Sequence, residues 1–134
     1  MSDSFSLKAG GDIRPSRFIS LSADYTVLES NATDLPFGIA HDSTKAAPAD
    51  GLASANHAEL DDHVSYYKLG DSCLLEAGIA FSAGELLGPD ADGRGTTAIA
   101  AGDVAGAIAL ESAAAAGELV RVQVVQIVAH APLT

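Results

Sequence analysis

The stretch GELVRVQVVQIV, residues 117–128, constrains the fold of this chain more than any other. Val120, Val122 and Val124 alternate with Arg121 and Gln123, and a period of two places one set of side chains on one face of a β-strand. At Val124 and Val125 the alternation changes phase, so that Val125 and Ile127 take over the apolar role, as a β-bulge or burial on both faces would produce. Immediately before this ladder, ESAAAAGE carries four consecutive alanines, which favour helix. A helix over residues 107–116 would nevertheless be shorter than the roughly 12–15 residues at which an isolated helix becomes even marginal, and its apolar face would be mostly methyl groups. The region therefore reads as strand, turn, strand. Ile108 and Leu110 share a face of the first strand, Gly117 stands at the turn, and the small side chains of Ala113, Ala114, Ala115 and Ala116 allow a neighbouring strand or subunit to pack closely.

The same grammar recurs along the chain. RFISL and YTVL read as short strands separated by SAD, FGIAH is a third apolar run, and VSYYKL and CLLEAGI continue the pattern. From residue 80 onward short apolar pieces alternate with Gly, Asp and Pro, and GPDADGRG has the composition of a tight turn. AGELL at residues 83–87 returns as AGELV at 116–120, which we read as recurrent hairpin chemistry rather than a true repeat. This rhythm predicts an all-β fold, a small antiparallel β-barrel or sandwich. With aromatics at 5% and no Trp, its core must be built from Ala, Val, Ile and Leu. A chain of 134 residues fits a single domain that buries about two-thirds of its unfolded surface. Residues 1–17, small, polar and interrupted by Gly-Gly, read as an extended N-terminal arm on a β-rich domain of residues 18–134. Residues 42–62 carry no period-two signal and read as one long central loop, with a helical turn near NHAEL.

Composition and motifs exclude most chemistry. Seven basic against eighteen acidic residues give a net charge of −11, which repels polyphosphate and argues against nucleic acid or an anionic membrane as partner. No apolar run approaches the roughly 20 residues of a membrane span, and the first residues lack the basic and apolar regions of a signal peptide, so the chain is expected to stay where it is made. Cys73 is alone and beside two leucines, a small buried hydrophobe rather than a nucleophile. NHAELDDH gathers His57, Glu59, Asp61, Asp62 and His63, but a spacing of six suits neither a helix face nor a compact turn, and a solvated acidic loop is the better reading. GPDADGRG is faintly like a calcium loop but lacks the rest of the loop and its closing Glu. Neither GxSxG, a phosphate-cradling glycine loop nor HExxH is present, so no enzymatic activity and no metal or other cofactor is expected.

One resemblance adds to this reading. Ala-Gly-Glu-Leu at 83–86, Asp-Ala-Asp-Gly at 90–93, the Gly-Ala-Ile-Ala-Leu-Glu-Ser segment at 106–112 and GELVRV at 117–122 follow one another in an order that resembles the small capsid decoration, or cement, proteins of tailed bacteriophages. GGDIRPSRFISL at 10–21 and FGIAHD at 37–42 resemble segments of the same proteins, and together the matches span roughly two-thirds of the chain. The resemblance implies a non-enzymatic homotrimer on the exterior of the virion. There it would bind the major capsid protein and cement neighbouring subunits, having been made in the host cytoplasm. A head fibre or minor virion protein that binds host glycans is the alternative, for which Tyr66 and Tyr67 are adjacent aromatics. With Lys8, Arg14 and Arg17 against Asp3 and Asp12, the arm has a charge of about +1 on an acidic body, which makes it a tether for an acidic partner. Its expected capsid contacts are Lys8, Arg14, Pro15, Arg17 and Phe18, and the expected subunit-packing residues are Ala113, Ala114, Ala115 and Ala116.

Overall fold

The computed structural model describes residues 7–32, 34–44, 56–97 and 103–128. All regular structure among them is β, arranged in two five-stranded sheets, as the punctuated apolar runs predict. The first sheet contains β1 (Lys8–Ala9), β2 (Phe18–Ala23), β3 (Thr26–Glu29), β4 (Gly38–Ala40) and β5 (Tyr66–Tyr67) in the order β1-β3-β2-β4-β5. Only its β1-β3 pair is parallel. The second contains β6 (Ser72–Glu76), β7 (Leu86–Pro89), β8 (Gly95–Thr96), β9 (Val104–Ala109) and β10 (Leu119–Val128) in the antiparallel order β6-β10-β9-β7-β8.

The valine ladder is the spine of the second sheet. Val120, Val122 and Val124 are buried while Leu119, Arg121 and Gln123 are exposed, and the register with β9 slips between Val124 and Ile127, where the sequence changes phase. Beyond the slip Val125 is half-buried and Ile127 exposed, so they do not take over the apolar role. The facing strand also differs from expectation. In β9 the buried residues are Ala105, Gly106, Ala107 and Ala109; Ile108 is half-buried, and Leu110 lies past the strand end, exposed. Val122 is opposite Ala109 and Val124 opposite Ala107, so branched side chains on one strand leave room only for methyls on the next. Gly106 has a similar origin: a Cβ there would lie 2.6 Å from the Phe18 ring and 2.7 Å from Pro36, where the first sheet presses on β9.

The described residues form two cores. Phe18 and Ile39 of the first sheet join Cys73, Leu75, Ala77, Phe81, Leu87, the β9 alanines 107 and 109, and the three β10 valines in the core between the sheets. On the other face of the first sheet, Ile19, Val27 and Ala40 are covered by Leu7, Ala9, Ile13, Ala58 and Val64. This second core corrects the expected arm. Residues 7–17 are part of the body: β1 is paired in the first sheet, and Ala9, Ile13 and Phe18 are fully buried. Burying an Ile such as Ile13 is worth about 1.5–3 kcal/mol, which an exposed tether would forgo. Residues 1–6 of the expected arm lie outside the described residues. The end of the central loop is folded as well. Ala58 forms a β-bridge with Ile13, so the helical turn expected near NHAEL is absent, while residues 45–55 lie outside the described residues.

Candidate functional site

Arg14, Pro15, Ser16 and Arg17 do come together, in a cleft of about 410 Å³ whose other walls are Asp42, Asn56, Glu76, Gly117 and Leu119. The cleft lies where the N-terminal segment, between β1 and β2 of the first sheet, touches the second. The Ser16 N–H donates to the Ala40 carbonyl of β4, and the Ser16 carbonyl accepts from Glu76 N–H of β6. Ser16 is held at φ 57°, a left-handed conformation that is uncommon for a residue with a side chain.

The two arginines have different duties. The Arg14 guanidinium grips the Glu29 carboxylate through Nε at 3.0 Å and Nη2 at 2.8 Å, and its backbone N–H donates to the same group at 2.6 Å. That bond raises the Arg14 pKa further, against the opposing effect of burial. Arg14 keeps part of its surface in water and remains available for contact. Arg17 does not: its side chain is 8% exposed, with Nη2 3.2 Å from both Glu76 oxygens and Nη1 donating to the Asp92 carbonyl at 2.9 Å. Arg17 is thus an internal clamp between the first sheet and the β7-β8 turn. Its Nε and the Ser16 Oγ are buried without hydrogen-bond partners among the described residues, an arrangement that lowers local stability.

The DADG turn completes the clamp. Asp90 Oδ1 accepts the N–H groups of Asp92 and Arg94, Asp90 Oδ2 lies 3.3 Å from Arg94 Nε, and Gly93 sits at φ 78°. The Gly93 carbonyl then accepts the Phe18 N–H, so the Asp90 carboxylate is engaged in shaping a turn that seats β2.

Of the expected capsid contacts, therefore, Arg14 and Pro15 lie in the cleft with some exposure, whereas Arg17 is buried but for a small part of its surface and Phe18 is fully buried. Lys8 is separate from them, exposed on β1 with Nζ 3.8 Å from Asp61. Of the four alanines only Ala113 is buried, in a bridge with Phe81; Ala114, Ala115 and Ala116 are exposed in the connection between β9 and β10. Leu119 and Gly117 of the cleft, which flank that connection, were missed because each reads as ordinary turn or strand chemistry.

The histidines are arranged differently from their order in sequence. His57 faces His41, with ring centroids 6.1 Å apart; its Nδ1 lies 2.9 Å from the Ser43 carbonyl and its Nε2 accepts the Ser65 N–H. His63 instead bridges Lys8. Among the described residues no three His, Cys, Asp or Glu side chains converge as metal ligands. Tyr66 and Tyr67, adjacent in β5, point to opposite faces as strand residues must. Tyr66 packs beside Phe37 on the second core and Tyr67 stacks on His41, so they form no joint aromatic platform.

No protein-family model matches the sequence, and no curated protein is similar to it. A solved structure is: the N base of head fiber gp8.5 in bacteriophage phi29, 20% identical, superposes with a TM-score of 0.62 over 92% of this chain and 94% of that one. At that identity the likeness is one of fold, and it extends over nearly all of both chains.

Proposed function

We propose that this chain is a structural protein of a tailed-phage virion, seated on the exterior of the head. The reading is carried by the likeness of fold to a head fibre base, which covers 92% of this chain. The motif order from residue 83 to 122, similar to that of capsid decoration proteins, supports it independently. In this reading the protein is a non-enzymatic homotrimer that binds the major capsid protein and cements neighbouring subunits. Arg14 and Pro15 in the cleft, with Lys8 on β1, are the accessible members of the contact set. An acidic exterior suits a protein that never meets DNA, and association would cover apolar side chains such as Leu119 that remain exposed in one copy.

A second reading makes the chain the base of a head fibre that contacts host glycans, and the name of the structural neighbour favours it. Both readings put the protein on a phage head, so one experiment orders them. Purified protein is mixed with heads lacking it and, separately, with host cells, and each mixture is sedimented. Pelleting with heads, accompanied by a higher temperature of head rupture, is the cement outcome. Pelleting with heads without that protection, together with binding to cells, is the fibre outcome, and pelleting with neither sinks both.

A further inference from the structure

On the outer face of the first sheet the second core ends before the sheet does. Leu7, Leu21, Ala23, Tyr25, Phe37 and Tyr66, with Asp24, line a cavity of about 570 Å³ there. A second cavity of about 290 Å³ adjoins it across Leu21 and Phe37, and its walls include Leu35 and Asp34. Leu21 is 53% and Leu35 60% exposed, so the groove is an apolar surface open to water. Tyr25, on its rim, is held at φ 53° in the β2-β3 turn, a conformation rare for an aromatic residue.

Among the described residues the backbone beside this groove is also open. β4 pairs with β2 only through Phe18 and Ile19, after which Pro36, without an N–H, ends the ladder. The Ile19 carbonyl accepts the Phe37 N–H on the β4 side, and alternate residues of a strand present their main chain to the same side. The N–H and C=O of Leu21 therefore face the groove past the end of β4. Charge gives the occupant its sign: Asp24 lines one cavity and Asp34 the other, neither is lined by Lys or Arg, and the chain as a whole carries −11.

We infer that this groove takes an extended segment of a partner protein that pairs with the main chain of Leu21, ahead of the register shift that turns Ala23 back toward Thr26. One apolar side chain of the segment enters the cavity among Leu7, Leu21, Phe37 and Tyr66, and flanking Lys or Arg side chains meet Asp24 and Asp34. The inference does not depend on the virion assignment, because it rests on the groove alone and its test uses a synthetic peptide.

The probe is a fluorescein-labelled seven-residue peptide alternating Lys with Val or Leu, titrated with the full chain and followed by anisotropy. Two control peptides replace Lys by Glu or carry N-methyl groups on alternate amides. The lysine peptide should bind saturably, and each control should bind at least about tenfold more weakly, a loss of about 1.4 kcal/mol. Leu21→Asp and Asp24→Lys, both at exposed positions, should weaken the lysine peptide to a similar degree with unchanged melting. Equal binding of the Lys and Glu peptides, undiminished binding of the N-methylated one, or no saturable binding overturns the inference. So does a dimer that Leu21→Asp dissociates, since a second copy would then be the occupant.

Discussion

Arg17 shows how one residue can look functional in sequence and be structural in the fold. A basic residue after Pro-Ser in a small, polar segment reads as exposed, yet Arg17 joins Glu76 of β6 to the Asp92 carbonyl of the β7-β8 turn. The partners lie 59 and 75 residues away, and no local pattern announces them. Arg17→Ala would strand the Glu76 carboxylate. It should cost about 3 kcal/mol, toward the low end for a broken buried pair because Glu76 keeps some access to water. Chemical denaturation measures this, and an unchanged midpoint would show that the clamp is dispensable. For the same reason Arg17 is a poor probe of the proposed capsid contact, and Arg14→Ala is the informative change. Cys73 belongs to this scale too. Burial, aided by Asp71 and Asp42, pushes its thiol up from 9.0 to about 12. A thiol reagent at neutral pH should therefore leave the native protein unmodified and label it on unfolding. The sign of the linkage follows from the raised value: above pH 9 the unfolded chain loses the proton that the folded chain retains, so stability falls as pH rises from 9 toward 12. Rapid labelling of the folded protein at neutral pH would contradict the burial.

At the scale of elements, strands with branched side chains were legible and strands built from alanine were not. The alternation of Val120, Val122 and Val124 fixed the inward face of β10 without further information. In β9 the same reasoning chose the wrong face, because Ile108 outranks Ala107 and Ala109 in hydrophobicity while the space opposite the valines admits only methyls. Residues 7–13 and 56–64 failed for a different reason. Neither has a periodic pattern, and each buries its apolar residues by pairing with the other and packing on the first sheet, as when Ala9 N–H donates to the Asp62 carbonyl and His57 N–H to that of Ile13. The alanine run sits between these cases. Ala113→Leu should overpack the contact with Phe81 at about 1–3 kcal/mol. Ala115→Leu, on an exposed position, should stay within about 0.5 kcal/mol in the isolated chain. Sedimentation then separates the two roles: if Ala115→Leu lowers the assembly state without lowering the melting temperature, the exposed alanines pack between subunits, and if it leaves both unchanged they do not.

At the scale of the molecule, the described residues form two cores that share strands β2 and β4, where Ile39 belongs to one and Ala40 to the other. Phe18 and Ile19 are consecutive in β2, and because a strand alternates its faces Phe18 enters the core between the sheets while Ile19 enters the core beneath the N-terminal segment. Neither core can lose its ordered β2 without taking the other with it. Ser16, which bonds to both Ala40 of β4 and Glu76 of β6, and Arg17, bonded to Glu76, tie the two sheets again at the start of the same strand. The 134-residue chain should therefore unfold as one cooperative unit despite its two hydrophobic clusters. Leu75→Ala probes the first core and Ile19→Ala the second. Each should cost about 2–5 kcal/mol, since both side chains are fully buried, and each should shift the entire transition rather than split it. The transition is to be followed by far-ultraviolet circular dichroism and by tyrosine fluorescence, the chain having three Tyr and no Trp. Tyr66 and Tyr67 report from opposite faces of β5, so the optical signal samples both cores. Coincident curves for both variants are the expected result. If Ile19→Ala instead separates an early phase from a later one, the N-terminal segment and the end of the central loop form a unit that detaches from the sheets, and the shared strands do not couple the cores.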